Sequence, residues 1–300
     1  MLDAEWMEVP LGAVANTLVV GIDTSPESSL ALDWARCIAQ PEDRIVVVHA
    51  WEVPLVTGYD MVVTIDPGEI ERLSLHGLME IVSGIDDDRL EPVTHQGHAG
   101  RGLVAEADEH DAATIIVGHR GDSRVAMMLG STANYVLHHT ELPVVIVRGD
   151  HGEVPKRVVV GVDDHDLDDE HGVENESTRA VRWACQLPGV EEIRVVHAWF
   201  LPALAVGMFA TAAAELDTMD AAAQAVVDHV LESVGPPPDH ITVVGEAVRG
   251  TPGFALIEAS READLVVVGS RGRGGFRELL LGSTSAEVTA HSHAPVAVIH

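Results

Sequence analysis

Apolar residues along the chain fall into short unbroken runs rich in Val and Ile, separated by longer stretches in which they recur at helical spacing. The runs predict strands at 17–22, 44–50, about 90–95, 114–118 and 143–147, and again at 157–162, 192–198, 240–245, 264–269 and 295–299. Runs that are apolar on both faces suit parallel strands covered by helices on both sides. Helical spacing predicts helices over 27–39, 178–186 and 67–83, the last with a capping start at Asp66-Pro67. A further helix is predicted over 218–234, stopped by Gly235 ahead of a run of prolines. Strand and helix alternate throughout, which implies βαβ units and a doubly wound parallel sheet.

The pattern is written twice. "TLVVGIDTSPESSLALDWARC" is echoed by "RVVVGVD" and "NESTRAVRWAC", "RIVVVHAW" by "IRVVHAW", and "TIIVGHRG" by "LVVVGSRG". The period of about 140 residues is far too long for a solenoid unit, so two homologous domains are expected, 1–150 and 151–300. Gly, Pro and charge interrupt the apolar runs between them, at "RGDHGEVPK".

Composition narrows the function classes. The chain carries 18 basic and 48 acidic side chains, a formal charge of −30, and Lys156 is its only lysine. Such a charge repels nucleic-acid phosphates and anionic membrane surfaces, so neither is expected as a partner. The carboxylates are spread along the whole chain, a pattern that fits a surface adapted to high salt or simply an acidic protein. No run reaches the length of a membrane span and the acidic N-terminus lacks a secretory pattern, so a cytoplasmic protein is expected. Cys37 and Cys185 form no metal or redox motif, and each follows a Trp-Ala pair, which places them at matching buried positions of two helices.

In doubly wound sheets ligands bind beyond the carboxyl ends of the strands, so strand ends are where chemistry is sought. The first strand of each half runs into Asp (Asp23, Asp163), and the second closes on "VHAW". The fourth ends in Gly-x-x-Gly, at Gly118 and Gly121 and at Gly269 and Gly272. Each Asp is either a ligand contact or the cap of the helix that follows. The glycines let backbone N–H groups approach an anion, and Gly282-Ser283-Thr284 then opens a helix whose first amides lack internal partners. A phosphate cradle is one reading; the other is plain capping, because Thr284-Ser285-Ala286-Glu287 fits a capping box. A Walker loop and a Rossmann fingerprint are both absent.

Gly269-x2-Gly272-x9-Gly282-Ser283, with the first-strand Asp and the "VVHAW" strand, resembles the ATP-binding signature of the universal stress protein family. The resemblance covers nearly all of both halves. It implies two tandem α/β domains, each a five-stranded parallel sheet of order 3-2-1-4-5 with helices on both faces. By resemblance, Asp163, Ala198, Val268, Gly269, Arg271, Gly272, Gly282, Ser283 and Thr284 would hold an adenine nucleotide in the second half. In the first half the same role falls to Asp23, Ala50, Val117, Gly118, Arg120, Gly121, Gly130, Ser131 and Thr132. ATP is the implied cofactor and nucleotide-dependent stress signalling the implied function. The last strands would meet at an interface, so that the halves form an internal pseudo-dimer; a homodimer of the whole chain stays open. The competing reading is a dimerisation module of the same fold that binds no nucleotide.

Departures from the pattern separate the halves. Gly121 and Gly130 have eight residues between them rather than nine, and Asp122 stands where the second half has Arg273. The second half instead carries about nine extra residues after Asp163, in "DHDLDDEHGVENES". Its carboxylates could hold Mg2+ beside ATP, although the spacing fits no known calcium loop and a solvated acidic loop is the simpler reading. The pairs "LHHTELP" and "HSHAP" follow helices, where histidine suits the negative helix end better than a metal. His49 and His197, inside apolar strands, are expected to be hydrogen-bonded structural residues. No nucleophile stands beside a base, so rapid turnover is not expected.

Overall fold

The computed structural model describes residues 15–53, 57–58, 61–62, 66–119, 129–149, 153–163, 175–200, 213–270 and 281–300. The first half contains β1 (Thr17–Gly21), α1 (Pro26–Ile38), β2 (Arg44–Trp51), a small hairpin β3 (Thr57–Gly58) and β4 (Met61–Val62), and α2 (Pro67–Ser83). It continues with β5 (Leu90–Gln96), α3 (Ala99–Glu109), β6 (Thr114–Gly118), α4 (Ser131–His139) and β7 (Val144–Val147). The second half repeats the plan with β8 (Arg157–Gly161), α5 (Glu176–Gln186), β9 (Glu192–Trp199), α6 (Ala213–Val234) and β10 (Thr242–Arg249). It closes with α7 (Pro252–Ala259), β11 (Leu265–Gly269), α8 (Ser283–His291) and β12 (Val296–Ile299).

Ten strands form one sheet in the order β10-β9-β8-β11-β12-β7-β6-β1-β2-β5. Within each half the sheet strands are parallel, and their chain order reads 3-2-1-4-5 from the outer edge inward. The halves are not separate sheets. β12 and β7 pair antiparallel, Val296 with Ile146, Ala297 with Val145 and Val298 with Val144, so the assembled sheet is mixed at its centre. Ladder bonding between two buried apolar strands leaves neither inner edge open.

Alternation along each strand sorts side chains to two cores. Leu18 and Val20 of β1 face one, with Trp34 of α1, Leu78 of α2, Ala180 of α5 and Val227 of α6. Val19 faces the other, with Leu103 of α3, Val136 of α4, Leu256 of α7 and Val288 of α8. Both faces of the sheet are therefore covered, which explains runs with no polar alternation. Helix boundaries follow local chemistry. Asp66 accepts from Gly68 N–H at 3.0 Å and Pro67 occupies the first helical position, so α2 starts as its sequence requires. α6 ends where Gly235 adopts φ 84° and donates to the Leu231 carbonyl at 3.1 Å. Among the described residues no helix is long and apolar enough to cross a membrane.

The cysteines do not match as expected. Ser28 and Ser177 hold equivalent places, each accepting from the N–H of its Asp at 3.1 Å, which aligns Trp34 with Trp183 and sets Cys185 opposite Arg36 rather than Cys37. Both thiols are half-buried, and burial pushes each up from its ordinary value, which keeps them protonated.

Candidate functional site

Three strand ends converge on one edge in each half, and local hydrogen bonds fix how. After β1, the exposed Asp23 takes the N–H of Ser25 on Oδ1 at 2.8 Å and the Ser25 hydroxyl on the same oxygen. Ser25 in turn caps α1 by accepting from Ser28 N–H at 3.3 Å. Asp23 is thus not the helix cap; it shapes the turn ahead of it. In the second half Asn175 caps α5, accepting from Thr178 N–H at 2.7 Å, and Asp163 stands half-buried at the end of β8. Of the acidic insertion, 164–174 lies outside the described residues.

The second strand supplies a matched pair of imidazoles. His49 Nδ1 lies 3.1 Å from the Ile22 carbonyl oxygen, and His197 Nδ1 lies 3.0 Å from that of Val162. A carbonyl can only accept, so both rings carry their proton on Nδ1. Each ring ties its second strand to the residue just before the Asp, and Ala50 and Ala198 follow half-buried at the same edge. These are the structural histidines the sequence suggests.

The fourth strand and the helix after it form the third part. Val117 and Val268 are buried in the core beneath Gly118 and Gly269. His119 N–H donates to Val147 O at 2.7 Å, and His119 O accepts from Gly130 N–H at 3.0 Å. Ser270 repeats both contacts, with Ile299 O at 2.6 Å and Gly282 N–H at 2.7 Å. Each loop is therefore closed at its stem, and the helix after it starts beside the strand end. Arg120, Gly121, Arg271 and Gly272 lie within the loops themselves, outside the described residues.

Gly130 and Gly282 are the N-caps of α4 and α8, and a glycine offers no side chain to cap its own helix. The capping box read at Thr284 to Glu287 is not formed. α8 begins at Ser283, which puts Thr284 inside the first turn, and Glu287 lies against Gly253 of α7. Ser131 and Ser283 are exposed at the first helical position, with Thr132 and Thr284 half-buried behind them. The first turn of each helix carries the positive end of its dipole, and that end stands beside the strand end. Gly118 needs to be glycine because a Cβ would sit 2.8 Å from the Glu27 carbonyl oxygen at the start of α1.

Two contributions were not legible in the sequence. Ser285, buried in α8, donates its hydroxyl to Gly269 O at 2.6 Å and pins the helix to β11. At the ends of β9 and β10, Arg249 binds the Asp220 carboxylate through Nε at 2.9 Å and through a second arm, and lies 5.6 Å over the Trp199 ring. The Arg249 guanidinium holds the Asp220 carboxyl below its ordinary value. The first half pairs Trp51 with Gln96 at the matching place. His138, His139 and His291, expected to follow the helices, lie in their last turns instead, and each sets Nδ1 against the carbonyl four residues earlier, at 2.6, 2.8 and 3.0 Å.

Comparison with known proteins agrees with this duplicated arrangement. The model of the universal stress protein family matches residues 15–148 and again 155–300. The chain belongs to the universal stress protein family. It is similar to a universal stress protein of Mycolicibacterium smegmatis, 26% identical over 299 residues that cover 94% of this chain and 96% of the relative. A Mycobacterium tuberculosis universal stress protein is 27% identical over 295 residues, covering 94% and 95%. Among solved structures, a universal stress protein from Archaeoglobus fulgidus shares the fold with TM-score 0.61 and 21% identity, covering 95% of this chain and 98% of that one. This chain is thus a universal stress protein with two tandem family domains joined edge to edge.

Proposed function

We propose that this universal stress protein binds adenine nucleotide, with ATP as the ligand, and acts as a nucleotide-dependent regulator of a stress response. The observation that carries the reading is the pair of helices α4 and α8. Each opens on a glycine, which has no side chain to cap its own helix, and is held by its stem beside the strand end. Backbone amides at a helix N-terminus bind phosphate oxygens through dipole and hydrogen bonds together. Gly130, Ser131 and Thr132, and Gly282, Ser283 and Thr284, would hold the phosphates. Asp23 with Ala50, and Asp163 with Ala198, would meet the nucleoside at the neighbouring strand ends. Gly118 and Gly269 let the backbone approach the ligand, and Arg120, Gly121, Arg271 and Gly272 would add further contacts to it.

The second half supports the better-formed site. Ser285 adds a hydrogen bond that Ala133, at the matching place, cannot make. The reading of the fold as a pairing module alone has less support, because the inner edges β7 and β12 are already paired within one chain. Denaturing the purified protein and identifying the released nucleotide by chromatography tests the proposal, with calorimetric titration of ATP beside it. Released adenine nucleotide or saturable ATP binding is expected; neither, in a folded sample, overturns the reading.

A further inference from the structure

Arg148, the residue after β7, belongs to the first half but reaches into the second. It donates through one guanidinium arm to Ser292 O at 2.5 Å and through the other to Thr289 O. Both acceptors lie in the last turn of α8 and its C-cap, where carbonyls have no partner within the helix and the dipole is negative. A half-buried guanidinium is well matched to that end, since it supplies two directed donors and a positive charge at once.

The N-terminus of the same helix, one residue after Gly282, is the proposed phosphate cradle of the second half. On its other side Arg148 is joined to the first cradle through the backbone. Val147 O accepts from His119 N–H at 2.7 Å, and His119 O accepts from Gly130 N–H at 3.0 Å, the N-cap of α4. A continuous series of hydrogen bonds therefore runs from the first cradle, through the end of β7, to the far end of the helix that forms the second. The matching place in the second half is His300, so a guanidinium stands at this position in the first half alone.

We propose that Arg148 is a positioning residue that couples the two nucleotide sites, so that filling the first tightens the second. The proposal rests on the nucleotide-binding reading and adds its regulation. Phosphate on the amides of α4 would steady Gly130, His119 and the end of β7. Arg148 would then hold α8 with less motion, and the second nucleotide would meet a cradle already ordered. Coupling between sites commonly amounts to a fivefold or larger change in affinity.

The test uses calorimetric titration of ATP into the full chain and into G130V, R148A and the R148A/G130V double variant. G282D identifies which heat belongs to the second site. Gly130 has φ −60° and ψ 151°, which any residue adopts, and Val fills the approach to the α4 amides without supplying an acceptor to them, so the first site is closed and its helix start stays uncapped. Closing the first site with G130V is expected to weaken the second by about fivefold, and in the R148A background to leave it unchanged. If R148A proves less than fully folded by circular dichroism, R148K keeps the charge without the two-armed geometry and is expected to lose the coupling in the same way. A second-site affinity indifferent to G130V, or an equal loss with and without Arg148, overturns the coupling while leaving nucleotide binding intact. A folded parent chain that takes no ATP overturns both.

Discussion

The hydroxyl of Ser285 donates to the carbonyl oxygen of Gly269 at 2.6 Å, closing the second loop from inside the core, whereas the third residue of α4 is Ala133. Replacing Ser285 with Ala leaves that contact unmade. Unfolding by denaturant should show a loss of about 1–2 kcal/mol, the usual range for a buried hydrogen bond and the desolvation of its remaining partner. The second site should also bind ATP more weakly, because α8 is less firmly held to β11. Unchanged stability would mean that the contact contributes nothing to the fold.

Gly118 makes a different kind of prediction, because its neighbour is backbone. A Cβ there would lie 2.8 Å from the Glu27 carbonyl oxygen, and the start of α1 cannot rotate away as a side chain could. Gly118→Ala should therefore cost about 1–3 kcal/mol through overpacking. Thermal denaturation of the variant beside the parent measures it, and an equal midpoint would contradict the packing described.

Asp87 should leave a mark on the acid side of the stability curve. Its side chain, 7% exposed, accepts from Arg89 Nε at 2.8 Å and Arg89 NH2 at 2.8 Å, and from Arg36 Nε at 3.1 Å. The Arg89 hydrogen bonds, against an opposing contribution from burial and with help from Arg36, hold the carboxyl far below the ordinary carboxylate range. A depressed folded value means that the stabilisation is complete above the unfolded value, near ~3.9, and is lost as pH falls through the folded one. Asp87→Asn should be less stable than the parent by about 2–3 kcal/mol at pH 7, with the gap narrowing only below about pH 4. The difference between the two curves isolates this carboxyl from the many surface acids that titrate with it; a gap constant down to pH 2 would refute the assignment.

Net charge predicts the response to salt. At −30 the folded chain repels itself, and raising ionic strength shortens the screening length from ~10 Å at 0.1 M to ~3 Å at 1 M. The thermal midpoint should rise across that range, as followed by scanning calorimetry in KCl. A midpoint that falls would show that attractive ion pairs such as Arg36–Asp87 outweigh the repulsion.

Much of the fold was legible because Val19, Val20, Val46 and Val47 are apolar toward both layers of helices, and such runs admit few other arrangements. The edges were less legible. β10 extends to Arg249, past the end of its apolar run, because its ladder with β9 holds half-polar residues in strand geometry. α3 is not legible in "AGRGLVAEADE", which carries two glycines that weaken its helical pattern, and the structure places Gly100 against Tyr135 and Gly102 against His95. At the site, glycines and aspartates at strand ends could be read from local pattern alone. Arg148, Arg249 and Ser285 could not, because their partners are 141, 29 and 16 residues away and only the folded sheet brings them together.

The most direct test of the cradle is calorimetric titration of ATP into Gly282→Asp beside the parent chain. Gly282 has φ −67° and ψ 155°, and Asp is a favoured N-cap, so the variant should keep its fold while its carboxylate occupies the place of the phosphate. The expected result is loss of the tighter ATP site with an unchanged circular dichroism spectrum. An ATP affinity and stoichiometry equal to those of the parent would show that the start of α8 does not hold phosphate.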